Sequence, residues 1–327
     1  MKAIVFNTFG NADVLKLEEF PAPEVRPHDL LVRVHAAGVN RADLTHRRGG
    51  YGRADFGDSA LMGLEIAGEV IKVGSEVKGY RVGDRVMGVV GGGGYAEVAR
   101  MDWRMAMPIP ARLDYVHAAA IPEVFVTAHE ALLHLGRLKE GDAVLVHAAA
   151  GGVGSAVVQL AHATGATVFA TTVSSKRDAV LQLGADHVID YQNQDFAEIV
   201  AANTDKRGVD VVVDFIGAPY FQRNIASLVN GGRLIQVGML AGGGEIKVEL
   251  SQILYRHLQI IGTVMKSRTQ VEKQAMTRRF RDHWLEHFNA GTSLRPLIDS
   301  TFPLGRAADA HRRMESAENV GKIILTT

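Results

Sequence analysis

The residues best placed to do chemistry form one string, His147-Ala-Ala-Ala-Gly-Gly-Val-Gly154. It closes the apolar run Ala143–Ala148 and opens a helical pattern over Gly152–Thr164, with Val153, Val157, Leu160 and Ala161 on one face. A glycine-rich turn from strand to helix lets backbone approach a phosphate closely. The helix start adds unpaired N–H groups and the positive end of its dipole. Gly152 and Gly154 are expected to permit that approach, with Ala150 and Val153 beside them. Ala149 stands where G-x-G-x-x-G has its first glycine, so the reading rests on the strand–turn–helix context. The alternative is a tight turn that binds nothing.

The end of the next strand should choose between cofactors. Sites selective for NAD place a carboxylate there for the ribose 2′-OH. Thr171-Thr-Val-Ser-Ser-Lys-Arg177 has no acid until Asp178. Ser174 and Lys176, with Arg177 as a further candidate, suit a 2′-phosphate, so NADPH is expected over NADH. Lys176 and Arg177 read otherwise as solvated residues starting a helix, although a first-turn cation opposes the helix dipole. Tyr191, ending the following strand, either donates its hydroxyl to that phosphate or packs beside the adenine.

These residues need a sheet to hold them. Strands at Thr167–Thr172, His187–Ile189, Val209–Phe215 and Arg233–Val237 alternate with helices at Lys176–Leu183, Phe196–Asn203 and Tyr220–Leu228. That alternation predicts a doubly wound α/β domain, a parallel sheet covered on both faces. Before it lie short strands, Lys2–Phe6, Leu30–Ala36, Gly68–Val73, Arg85–Val89 and Tyr95–Arg100, parted by Pro and Gly turns. They predict a mostly antiparallel β domain. After it come strand Leu258–Thr263, helix Thr269–Asn289, strand Leu297–Phe302, helix Leu304–Ser316 and strand Lys322–Leu325. The last is expected to return to the first domain. The division is therefore 1–122 with 266–327 for the β-rich domain, and 123–265 for the Rossmann-type domain.

Composition narrows the function. The 327 residues are enough for two cores. Zero cysteines exclude disulfides, thiolate nucleophiles and cysteine-bound zinc, and fit a cytoplasmic protein. Lys+Arg and Asp+Glu are both 36, which argues against nucleic acid as the main partner. The N-terminus MKAIVFNTFG has no signal-peptide pattern, and no run of apolar residues is long enough to span a membrane. His283 and His287 share a helix face that reads as solvated, and the other histidines show no metal spacing.

Further motifs carry a resemblance over essentially the whole chain. They are Val39-Asn-Arg-Ala-Asp43, Gly63-Leu-Glu-Ile-Ala-Gly68, Gly83-Asp-Arg-Val86, Pro122–Ala128, Leu183-Gly-Ala-Asp186-His-Val-Ile-Asp-Tyr191 and Gly321-Lys-Ile323. Together with the glycine loop they resemble the zinc-free quinone oxidoreductases related to zeta-crystallin, within the medium-chain dehydrogenase/reductase superfamily. Arg47–Tyr51 and Ala241–Ser267 look most like the tumour-suppressor-inducible branch. The resemblance implies a GroES-like catalytic domain, a Rossmann-type domain and usually a homodimer. It implies NADPH between the domains. Ala150, Gly152, Val153, Gly154, Ser174, Lys176 and Tyr191 would hold the adenosine-phosphate end. Thr127, Gly238, Met239, Leu240 and Asn319 would hold the nicotinamide half, and Asn40, Tyr51 and Phe125 would line the substrate pocket.

Aligned by motif, Asn40, Leu64 and Glu123 stand where zinc relatives use Cys, His and Cys, so no metal is expected. Without a Lewis acid the natural substrate is a quinone, which accepts hydride directly. An α,β-unsaturated carbonyl is the alternative, and a non-enzymatic NADPH- or RNA-binding protein is the rival outside catalysis. Tyr51 is the candidate proton donor, or else a surface-loop aromatic. Asn40 is a candidate hydrogen-bond partner of substrate or cofactor, or else a cap for the next helix. Glu65 is expected to be buried and paired.

Overall fold

A computed structural model describes residues 1–50, 59–289 and 294–327 of the chain. These form two compact units, Met1–Val126 with Thr269–Thr327, and Thr127–Arg268. The division falls inside the helix Pro122–His129. No helix among the described residues is long and apolar enough to cross a membrane.

The second unit is built on six parallel strands. Their order across the sheet is His187–Asp190, Thr167–Thr172, Ala143–Val146, Val209–Asp214, Leu228–Gln236 and Gln259–Gly262. By chain position this is third, second, first, fourth, fifth, sixth, the doubly wound order of dinucleotide-binding sheets. The order reverses beside Ala143–Val146, and ligands bind such sheets beyond the carboxyl ends at that reversal. Ala143–Val146 and Val209–Asp214 are buried at every position, as a sheet covered on both faces requires. Leu145, Phe169, Phe196, Val212 and Phe221 share one apolar cluster.

The far edge differs. Ile260 on the edge strand Gln259–Gly262 is 42% exposed, and Leu254 and Tyr255 on the preceding helix Leu250–Tyr255 are 66% and 77% exposed. The helix expected over Lys176–Leu183 is shorter, Arg177–Leu181, after a 3-10 turn at Ser174–Lys176. Gly184, at φ 102°, ends that stretch in a conformation glycine tolerates best. Helix Pro122–His129 runs on into a π-helical turn, Glu130–Leu135, which no periodicity announced.

The first unit holds a seven-stranded sheet. Its order is Ile298–Pro303, Lys322–Thr326, Asp29–Val39, Glu65–Val73, Arg85–Val89 and Ala106–Pro108, with Val98–Asp102 also paired to Asp29–Val39. Only Ile298–Pro303 against Lys322–Thr326 is parallel. Asp29–Val39 buries Leu30, Val32, Val34 and Ala36 at alternate positions, the period of a strand with one face inward. Where it crosses Glu65–Val73 the backbones come very close. A Cβ on Gly68 would lie 2.0 Å from the Arg33 carbonyl oxygen, so only glycine fits. The chain's last strand, Lys322–Thr326, lies antiparallel to Asp29–Val39, with Ile323 opposite Val39. That pairing carries Lys322 next to Asn40.

Candidate active site

In the second unit the glycine turn sits at the carboxyl end of Ala143–Val146. Ala148 takes a left-handed φ of 48°, and Gly151 caps the helix Gly152–Ala163. The first-turn N–H groups of Gly152, Val153 and Gly154 have no acceptor within the helix and point out of its start. Gly154 has a packing reason as well. A Cβ there would lie 2.3 Å from the Ala148 carbonyl oxygen, so the glycine lets the helix close onto its own loop.

A buried side-chain chain braces the strand ends beneath this turn. His147 is fully buried, with Nδ1 3.0 Å from the Thr171 hydroxyl and Nε2 2.7 Å from Asn224 Oδ1. Asn224 donates to Asp214, whose carboxylate also accepts the Ile216 N–H at 2.6 Å. Burial pushes the His147 imidazole down to about 4, so it stays neutral and serves as a strut between the strand Thr167–Thr172 and the helix Phe221–Ser227.

The second strand ends in the expected polar group, with one correction. Ser174 donates at 2.5 Å to Asp190, which lies in register with Thr172 on the neighbouring strand. A carboxylate therefore stands at this point, although none precedes Asp178 on the strand's own continuation. Arg177 is not aimed at a ligand. It donates to the Val188 carbonyl at 2.6 Å and fastens its helix to the sheet. Lys176 is half-buried, and Tyr191 is 43% exposed with its N–H on the Thr172 carbonyl.

The first unit contributes a buried polar cluster. Lys322 is 3% exposed, and its ammonium donates to Val39 O at 2.8 Å, Asn40 Oδ1 at 2.7 Å and Glu65 Oε1 at 2.6 Å. All three ammonium hydrogens are thus used. Asn40 Nδ2 donates to Glu65 Oε1 at 2.9 Å, and Glu65 Oε2 accepts the Glu123 N–H at 2.9 Å. Glu65 is therefore buried and paired. Asp43 starts the helix Arg41–Arg47 by accepting the Asn40 N–H at 2.8 Å.

A second file runs from Asp43 to the surface. Tyr95 donates to Asp43 Oδ2 at 3.0 Å and meets His311 Nε2 at 3.2 Å. His311 Nδ1 faces Arg47 at 3.2 Å, and Arg47 pairs with Glu315. Arginine only donates, so His311 Nδ1 accepts and its proton sits on Nε2, directed at Tyr95. Burial, then Arg47, pushes His311 down to about 3. Burial is also the main reason that Asp43 is pushed up to about 7 and Glu123 to about 8. Asp43 Oδ1 has no partner, so the carboxylate form is poorly solvated.

The sites proposed from sequence fall into both units. Ala150, Gly152–Gly154, Ser174, Lys176, Tyr191, Thr127, Gly238, Met239 and Leu240 belong to the second, and the first seven of these positions, from Ala150 to Tyr191, lie along the carboxyl ends of its first three strands. Met239 and Leu240, 63% and 54% exposed, follow the fifth strand. Asn40, Phe125 and Asn319 belong to the first unit. Asn319 is 9% exposed and donates to Gly321 O at 2.9 Å. Two of the residues read as pocket-lining have partners of their own. Asn40 has no spare amide, since Glu65 and Lys322 take both its polar ends. Phe125 is 1% exposed and packs edge-on to Phe288 at 4.9 Å. Tyr51 lies outside the described residues. Sequence reasoning did not assign roles to Lys322, Tyr95, His311, His147 or Asp190. Asp190 had a visible signal, an acid directly before Tyr191 at a strand end.

Two family models match the chain, the alcohol dehydrogenase GroES-like domain over residues 26–111 and the zinc-binding dehydrogenase domain over residues 152–280. The quinone oxidoreductase of Rattus norvegicus is 34% identical over 334 residues, covering 99% of this chain and 97% of the relative. The chain belongs to the quinone oxidoreductase branch of the medium-chain dehydrogenase/reductase superfamily. Among solved structures it is similar to Escherichia coli quinone oxidoreductase complexed with NADPH, with 27% identity, a TM-score of 0.89 and full coverage of both chains. It is also similar to the CurK enoyl reductase, with 28% identity, a TM-score of 0.87 and coverage of 99% and 98%.

One matched model is named for zinc, and the residues present do not fit that metal. Of the positions aligned with zinc ligands, Asn40 is committed to Lys322 and Glu65, Leu64 has no donor, and Glu123 holds a carboxyl pushed up to about 8. Among the described residues no group of three or more His, Asp or Glu side chains is placed to hold a metal ion.

The buried carboxyls give a pH signature. Folding raises Asp43 from 3.8 to about 7, so between those values the folded chain holds a proton that the unfolded chain releases. Stability must fall as pH rises through that window. Asp43→Asn keeps an acceptor for Tyr95 and Asn40 but removes the titration. Urea unfolding across about pH 4 to 7 should show a shallower fall for the variant, with a gain at the upper end on the order of 2–4 kcal/mol. Equal slopes for both proteins would show that Asp43 is ionised throughout.

Proposed function

We propose that this oxidoreductase reduces quinones by direct hydride transfer from NADPH, with no metal in the site. The observation that carries the reading is the Lys322 ammonium, bonded to Asn40 and Glu65 beside the positions where zinc relatives place their metal. A simple alcohol must lose its proton before hydride leaves, and zinc assists that loss. A quinone is electron-poor and needs orientation, exclusion of water and a proton for its reduced oxygen. When bound, NADPH supplies the hydride from C4 of its nicotinamide.

The chain's own residues divide the remaining work. The N–H groups of Gly152, Val153 and Gly154 bind the pyrophosphate, and Ser174, Lys176 and Tyr191 bind the 2′-phosphate. Thr127, Gly238, Met239, Leu240 and Asn319 are assigned to the nicotinamide half. There the exposed Met239 and Leu240 would exclude water. Asn40 acts through its bonds to Lys322 and Glu65, shaping the substrate end rather than offering a free donor. Tyr51 is assigned the proton delivered to the reduced oxygen. Similarity to an enoyl reductase favours a second reading, reduction of α,β-unsaturated carbonyls by the same hydride.

Following NADPH oxidation with 9,10-phenanthrenequinone, 1,4-benzoquinone and trans-2-hexenal separates these readings. Turnover with the quinones, undiminished by chelator, is expected. Tyr51→Phe should lower that turnover about tenfold while NADPH binding changes less. Turnover with the enal alone would favour the second reading. Silence with all three, despite NADPH binding, would leave a binding protein.

We also propose a homodimer formed through the edge strand Gln259–Gly262. An exposed apolar edge is a liability that a two-fold contact covers symmetrically, and Ile260, Leu254 and Tyr255 make this edge apolar. Light scattering should give twice the 35.3 kDa of one chain, and Ile260→Lys should halve it. A wild-type mass of one chain contradicts the proposal.

A further inference from the structure

The Rossmann reading leaves one group at the adenosine end without a role. Asp190 ends the strand His187–Asp190, in register with Thr172 on the strand that leads into Ser174. Its carboxylate accepts from Ser174 Oγ at 2.5 Å, from Asn193 Nδ2 at 2.8 Å and from Gln192 N at 3.1 Å. The Ser174 bond, then the other two, hold the carboxyl below its ordinary value, so it is ionised at neutral pH. The group is at the surface and keeps its negative charge facing solvent beside Ser174.

That position has a chemical meaning. In dinucleotide-binding sheets the ribose 2′ substituent lies at the end of the second strand, about 20 residues beyond the glycine turn. Here that point is Ser174, and no acid follows it on its own strand before Asp178. The neighbouring strand supplies the missing acid at the same level of the sheet. Ser174 has one hydroxyl proton to donate. A 2′-phosphate that takes this proton must break the bond to Asp190 and then lie beside a carboxylate that keeps its charge and only the Asn193 and Gln192 donors. A free 2′-OH meets no such repulsion and can donate to the same oxygen.

Resting on the NADPH reading above, we propose that Asp190 is a specificity-determining residue that moderates the preference for NADPH over NADH, opposing Lys176 across the 2′ position. Lys176 attracts the phosphate dianion from the helix side, and Asp190 repels it from the strand side. The ratio of the two cofactor affinities is then set by a pair of opposite charges. Removing either charge moves the ratio in its own direction.

The test measures NADPH and NADH dissociation constants by fluorescence titration for wild type, Asp190→Asn and Lys176→Ala. Thermal melts check that each variant is folded. Asp190→Asn removes the charge and keeps one acceptor oxygen, for the Gln192 N–H; its amide NH2 then stands where Ser174 and Asn193 donated, and the Ser174 hydroxyl can accept from it. Its preference for NADPH should rise about three- to tenfold, the size of a like-charge contact near the surface. The gain should shrink at high salt, as a screened charge effect must. Lys176→Ala should lower the preference about tenfold or more. If Lys176→Ala lowers it and Asp190→Asn leaves it unchanged or lowers it, the inference about Asp190 is wrong and the phosphate site stands. If wild type binds neither cofactor, or Lys176→Ala weakens both equally, the phosphate-site reading fails and this inference fails with it.

Discussion

The ammonium of Lys322 must be neutralised where it is buried, and the first unit is organised around that requirement. A lone buried charge is strongly unfavourable, whereas a paired and hydrogen-bonded one is tolerated. Lys322 finds three oxygens, from Val39, Asn40 and Glu65. Meeting them requires the last strand of the chain to lie against Asp29–Val39, in the register that sets Ile323 opposite Val39. Glu65 in turn needs Lys322, and its other oxygen receives the N–H of Glu123 at the start of the helix Pro122–His129. One ion pair therefore joins the C-terminal strand, two central strands and the helix in which the two units divide. It also spends the polar atoms of Asn40, which is why the place aligned with zinc ligands offers no open donor set.

The second unit solves a different problem with the same economy. A parallel sheet gathers the carboxyl ends of its strands at one end, and polar groups there must be satisfied without blocking a ligand. His147, kept neutral by burial, links Thr171 and Asn224, and through Asn224 reaches Asp214. These side chains settle the strand ends among themselves and leave the first-turn N–H groups at Gly152–Gly154 unused. Asp190 and Ser174 repeat the pattern one strand further out, but at the surface, where their bond can open for a ligand.

Local signals made much of this legible from sequence. The strand–glycine–helix turn, the alternation from Ala143 to Gln236 and the alternating burial of Asp29–Val39 each follow from short-range periodicity and turn chemistry. Contacts distant in sequence were harder to see. Lys322 and Glu65 are 257 residues apart, and nothing near Lys322 marks it as buried. Tyr95 read as part of a strand, yet the strand begins at Val98 and Tyr95 serves a buried hydrogen-bond file instead. Phe125 matched a family motif, but its edge-on packing on Phe288, 163 residues away, was not visible there. Asp190 was visible as an acid at a strand end, but its effect depends on a bond to the adjacent strand that only register reveals.

The central claim is hydride transfer to an electron-poor acceptor without help from a metal. The most direct measurement is single-turnover reduction of 1,4-benzoquinone by chelator-treated protein, using NADPH deuterated separately at each of the two C4 positions. The account predicts that chelation leaves the rate unchanged and that one of the two labelled forms, and only one, reacts more slowly than unlabelled NADPH. A rate lost on chelation and restored by zinc, or the absence of an isotope effect with either form, would contradict it.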